Sequence, residues 1–148
     1  MPELDFSMGN TGLLKPAVAL MIWTAVMWFW LYAERIPALM RLKIRLDPRL
    51  PKEQLLAQLP PEARWKSDNY NHLLEQPVLF YAVLFVLYLL GESNSFNLVL
   101  AWGYVALRVV HSLVQSIWNI IVVRFWIFAA ASLLLFILIA RAAVSLWS

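Results

Sequence analysis

Cysteine is absent from this 148-residue chain, and glycine occurs only four times. Without cysteine there is no disulfide, no thiolate metal site and no cysteine nucleophile, so any thiol chemistry must bring its sulfur from outside. Charge is scarce as well. Asp, Glu, Lys and Arg make up 14% of the residues, about half the share of a soluble domain. A soluble fold of this size has too much surface to cover with so few charges. An ordinary soluble domain, a disordered tail and a nucleic-acid module are therefore excluded. Only two histidines occur, and they lack metal-ligand spacing, so no metal site is expected. Hydrophobic residues fill the gap at 62%, with a mean hydropathy of +0.68 and eight tryptophans. Tryptophan in such numbers suits a protein anchored at membrane interfaces.

Charge spacing divides the chain. Eighteen uncharged residues separate Lys15 from Glu34, 16 separate Glu75 from Glu92, and 16 separate Arg124 from Arg141. Between Glu92 and Arg124 only Arg108 and His111 interrupt the apolar run. A spanning helix needs about 20 largely apolar residues, and lipid admits only helices or closed barrels. These runs lack strand alternation. The expectation is one all-α membrane domain over residues 1–148, a bundle of four transmembrane helices near 14–35, 70–91, 96–121 and 122–146. The first helix is not a cleavable signal, because Trp23, Trp28 and Trp30 occupy the place of a cleavage site. A turn-rich connector over Asp47–Pro61 leaves room for a short helix at 52–59. The turn into helix four falls near Trp118-Asn119 or Val122-Val123.

The first loop, 36–69, is basic. Arg35, Arg41, Lys43, Arg45, Arg49, Lys52, Arg64 and Lys66 lie in or beside it, and Arg124 lies on the same side. Only Lys15 and Arg141 face the other side. The positive-inside rule puts loop 36–69 in the cytoplasm and both termini opposite. The stretch 35–46 alternates basic and apolar residues around Pro37 and either extends helix one or lies on the headgroups; its Arg41, Lys43 and Arg45 read most simply as topology determinants.

Helix three is where polar groups intrude. Tyr104, Arg108, His111, Ser112, Gln115 and Asn119 recur at a spacing that places them on one face. An arginine at a helix centre costs about 2.5–3.5 kcal/mol on insertion scales, so Arg108 must face the bundle, water or a partner charge. Helix two offers Asp68, Asn71, His72 and Glu75, also on one face, followed by Pro77, which can kink the helix. One reading is structural, with Arg108 and Glu75 as an ion pair that fixes packing. A second is functional, since six polar side chains exceed what a lock requires. Glu34-Arg35 and Arg124 join this cluster at the cytoplasmic boundary.

The run Asn69-Tyr70-Asn71-His72-Leu73-Leu74-Glu75-Gln76-Pro77, with Phe80 and Tyr81 after it, resembles the second helix of the membrane-associated proteins in eicosanoid and glutathione metabolism (MAPEG). Arg108-Val109-Val110-His111 resembles that family's Arg-x-x-His signature in helix three, and Arg124 stands where the family opens helix four with arginine. The similarity spans about residues 13–147. It implies a homotrimer in a membrane, bacterial inner membrane by preference, with lipids and a lipophilic substrate as further partners. It implies glutathione as cofactor, bound between subunits near the cytoplasmic side. Arg124 becomes the catalytic residue, stabilising the glutathione thiolate. Arg35, Asn71, His72, Glu75, Arg108, His111 and Gln115 become the cofactor-binding set, with arginine forks suited to its carboxylates.

Three positions depart from the eicosanoid enzymes: His72 replaces an asparagine, Asp68 an arginine and Gln115 a tyrosine. Asp68 would repel a glutathione carboxylate. The expected function is a glutathione-dependent transferase or peroxidase acting on lipophilic electrophiles. The alternative is a non-catalytic binding or scaffold member that has lost glutathione chemistry. A proton or transport relay is disfavoured, since helix four is apolar from Arg124 to Arg141.

Overall fold

The computed structural model describes residues 11–44 and 47–148. Arg45, counted above with the basic loop, lies outside the described residues.

Thr11–Leu13 form one 3-10 turn that leads into α1, Leu14–Arg41. Helix α1 runs past the expected end at 35 and through Pro37. The lost donor at Pro37 is tolerated because Ala38, Leu39, Met40 and Arg41 are good helix formers, and Arg41 complements the negative end of the helix dipole. Lys43 then turns left-handed, with φ 48°, and stops the helix. A short α2, Lys52–Ala57, follows Pro51. Helix α3, Pro61–Leu74, starts with Pro61 in its first turn, where a missing N–H costs nothing.

The expected loop 36–69 thus shrinks to residues 42–60. The expected bounds follow the apolar runs, and both helices continue past them on more polar residues. The expected second helix at 70–91 is also corrected. It is two helices, α3 and α4 (Pro77–Leu89), separated at Glu75 and Gln76. Pro77 has no N–H to give the preceding turn, and Glu75 takes ψ −94°, outside the helical range.

Gly91, at φ +73°, closes the turn after α4, a conformation that L side chains resist. The side chain of Asn94 accepts the Asn97 N–H and caps α5, Ser95–Ile117. Helix α5 ends four residues before the expected 121, because Asn119 is left-handed at φ 52°. Helix α6, Ile121–Trp147, completes the chain.

Helices α5 and α6 make the most extensive pairing. A Cβ added at Gly103 would come within 3.0 Å of Leu134 Cδ1, so glycine permits this close approach. Leu20, Met27, Phe80, Leu84, Tyr104, Leu135 and Leu138 fill the core. Phe85, Val99, Leu133 and Phe136 point outward and exposed, as lipid contact demands. Four helical stretches are long and apolar enough to cross a membrane: Thr11–Arg41, Pro61–Leu89, Ser95–Ile117 and Ile121–Trp147. The described residues form an all-helical membrane bundle without strands.

Candidate functional site

Helix α5 turns Tyr104, Arg108, His111, Ser112 and Gln115 inward, and all five are buried. Asn119, expected on the same stripe, lies beyond the helix end in the turn before α6. Its left-handed backbone brings its side-chain oxygen to Arg124, whose Nη1 donates to it.

Helix α3 carries two polar faces. One is closed. Lys66 is buried, pairs with Glu34 at 2.8 Å, and lies 5.0 Å over the Trp30 ring. Trp30 Nε1 donates to the same Glu34 carboxylate at 2.7 Å. Lys66 Nζ also reaches the Ser116 carbonyl at 3.5 Å, and Asn69 donates to Ser112 Oγ at 2.6 Å. Lys66 had been counted only toward the charge of the loop. In the fold it locks α1 to α3 and α5. A lysine in a basic stretch gives no sequence signal for such a role.

The other face is open. Asp68, Asn71, His72 and Glu75 line a polar cleft of about 240 Å³ with Gln115 and Arg124. A second cleft of about 390 Å³ is mostly apolar, lined by His72, His111, Ile121, Arg124, Phe125 and Phe128. His72 and Arg124 line both clefts. Arg124 engages Asn119, while its Nε is buried with no hydrogen-bond partner among the described residues. The guanidinium as a whole faces both clefts, where a charged donor can receive an anion. The rings of His72 and His111 lie 6.3 Å apart, and His111 lies 6.1 Å from Phe128.

The expected Glu75–Arg108 ion pair is not formed. Glu75 stands at the helix break with an exposed side chain and pairs with His72 Nδ1 at 3.3 Å. Arg108, 0% exposed, donates from Nη2 to the His72 carbonyl at 2.7 Å. That carbonyl belongs to the last turn of α3, where the break removes helical partners. Arg108 therefore caps the broken helix with a charge matched to its dipole. Arg108 lines neither cleft. It lies behind the His72 backbone, with Nε and Nη1 buried and without a hydrogen-bond partner among the described residues.

Arg35 is also apart. It sits on α1 and lines neither cleft. Of the eight expected site residues, the fold brings Asn71, His72, Glu75, His111, Gln115 and Arg124 to the two clefts. Gln76 escaped the sequence reading. It accepts from Tyr104 Oη at 3.3 Å and donates to Ser132 Oγ at 2.8 Å, and Ser132 donates to the Phe128 carbonyl at 2.8 Å. A single amide beside a proline gave no warning that it joins α4, α5 and α6.

The arrangement can hold an anion at Arg124 with polar groups on one side and an apolar molecule on the other. The family model described as MAPEG family matches residues 13–144. No curated protein and no solved structure matches the chain.

Proposed function

The chain belongs to the MAPEG family, and from that premise we propose that it is a membrane glutathione-dependent transferase or peroxidase acting on lipophilic electrophiles. The observation that carries this reading is the junction of two unlike clefts at His72 and Arg124. A reaction between a water-borne thiol and a lipid-borne electrophile needs a polar and an apolar pocket with one shared reactive wall.

The donor set suits glutathione in part. The guanidinium of Arg124, which lines both clefts, suits an anionic sulfur. Glu75, exposed on the polar cleft, fits an α-ammonium. Glutathione, when bound, supplies a thiol whose deprotonated form is the nucleophile. Arg124 holds negative charge at the cleft junction, and Asn119 fixes the guanidinium plane. Phe125, Phe128 and Ile121 give the second cleft its apolar wall for a lipophilic substrate. Arg35, off the clefts of its own subunit, reaches a glutathione carboxylate only from a neighbouring copy, which fits a trimer with shared sites. With loop 42–60 in the cytoplasm, the polar cleft opens to the cytosol.

Isothermal calorimetry of the detergent-solubilised protein with glutathione tests this. Saturable binding that Arg124→Ala weakens is expected. A second reading, a binding or scaffold member without chemistry, is favoured by Asp68, which puts a carboxylate into the polar cleft. Binding without turnover of an activated aryl halide or a lipid hydroperoxide supports that second reading. No saturable binding by an intact oligomer rules out glutathione in both.

A further inference from the structure

The opposite end of the bundle holds a second charged cavity that plays no part in the function above. Arg124 and Arg141 sit at the two ends of an uncharged 16-residue stretch of α6. Their separation along the helix is about 25 Å at 1.5 Å per residue. A hydrocarbon core measures about 30 Å, so both arginines stand close to a headgroup boundary. Arg141 marks the boundary away from the clefts.

A cavity of about 400 Å³ opens there, lined by Glu92, Ile137, Ala140, Arg141, Val144 and Ser145, with Ser148 at its edge. Its two charged groups are opposite in sign and do not pair with each other, and each is held separately. Arg141 donates from Nε to Asn97 Oδ1, and its guanidinium lies 5.0 Å over the Phe96 ring. Asn97 is itself 0% exposed and anchored by its amide to the Glu92 carbonyl at 2.8 Å. The Glu92 carboxylate accepts from Ser145 Oγ at 3.1 Å and from Asn94 Nδ2 at 2.9 Å. Among the described residues, none takes the terminal amino groups of Arg141. Ile137, Ala140 and Val144 form an aliphatic strip of the wall on one face of the membrane-spanning α6.

An arginine fork and a fixed carboxylate in one cavity, at headgroup depth and beside an aliphatic wall, describe a molecule with a phosphate, a neighbouring cation and acyl chains. We propose that this cavity is a binding site for a phospholipid with a primary-amine headgroup. The phosphate lies on the guanidinium of Arg141, the ammonium on Glu92, and the first methylenes of a chain along Ile137, Ala140 and Val144. Arg141 presents paired N–H groups that match phosphate oxygens. An ammonium offers three donors to Glu92, whereas the trimethylammonium of a choline headgroup offers none. A glycerol headgroup brings no cation for Glu92. The cavity therefore discriminates by both charges together.

Native mass spectrometry of the intact, delipidated oligomer with dioleoyl-phosphatidylethanolamine, -phosphatidylcholine and -phosphatidylglycerol at equal concentration tests this. The ethanolamine lipid is expected to be retained about tenfold better than either rival, the scale of one charge-assisted hydrogen-bonded pair. Arg141→Gln should lower retention of all three lipids. Glu92→Gln keeps the side chain's shape and should bring ethanolamine and glycerol lipids to parity. Equal retention of the three by the wild type, or preference for the glycerol lipid, overturns the proposal. An ethanolamine preference that survives Glu92→Gln overturns it as well, and this holds even if Arg141→Gln fails to fold. Glutathione calorimetry is independent of all these outcomes.

Discussion

The two polar faces of α3 use the same kinds of residue for opposite ends. On one, Lys66 is buried and fully engaged: a carboxylate, an aromatic face and a backbone carbonyl surround its ammonium. On the other, Arg124 of α6 meets Asp68, Asn71, His72 and Glu75 across a cleft, with part of its guanidinium unpartnered. A buried cation whose donors are all used has been committed to the fold. A partly buried cation with an orphaned edge has been kept for something else, since membrane interiors rarely leave polar groups unmatched. Arg108 stands between these two, fully buried with one nitrogen on the His72 carbonyl and Nε and Nη1 without a partner among the described residues.

Crossed measurements on two variants test that separation. Arg124→Ala should lower turnover about 100-fold, the scale of losing one preorganised electrostatic partner, or about 2.7 kcal/mol of transition-state stabilisation. Its melting temperature should stay within about 2 °C of wild type. Lys66→Ala should do the reverse. It leaves Glu34 and Trp30 without their shared partner and should cost about 2 kcal/mol. That lies below the range for a fully buried pair, because the Glu34 side chain is 38% exposed. The melting temperature should fall by about 4–8 °C, read by thermal unfolding in detergent. If both variants lose activity and stability together, the two faces are not separable.

Gln76→Leu should cost about 1 kcal/mol by removing the amide that joins Tyr104 to Ser132, again read by melting. The smallest effect belongs to Asp68→Asn. Removing a carboxylate from the polar cleft should raise glutathione affinity about threefold, a surface-scale electrostatic gain, measured by calorimetry. A fall in affinity would assign Asp68 to the ligand's ammonium.

The four spans were legible because lipid enforces a simple rule, long uncharged stretches folded as helices, and nothing else in the chain obeys it. The inward stripe on α5 was legible for the same reason, since Arg108 had nowhere else to point. Helix ends were not. Hydropathy reports contact with lipid, so α3 starting at Pro61 left no trace in it, and of the two readings of 35–46 the fold takes the helical extension as far as Arg41. Pairing was harder still. An arginine inside helix three and a carboxylate about one turn inside helix two suggested Glu75 with Arg108, but the backbone break turned Glu75 outward and gave Arg108 a carbonyl instead. Lys66 and Gln76 carry ordinary side chains in ordinary contexts, and only the assembled helices reveal their partners. The shared walls of the two clefts depend on three helices at once, beyond what spacing along one can show.

The interruption at Glu75 and Gln76 has a consequence for how a ligand is met. A gap between two helical rods would ordinarily act as a hinge, letting the upper rod swing and the cleft breathe. Here the joint is fastened on every side: Arg108 grips the end of α3, and Gln76 ties the start of α4 to both neighbouring helices. The freedom that a hinge would lose on binding is surrendered when the chain folds. A molecule entering beside His72 meets walls already at rest, and its affinity need not cover the cost of stilling them.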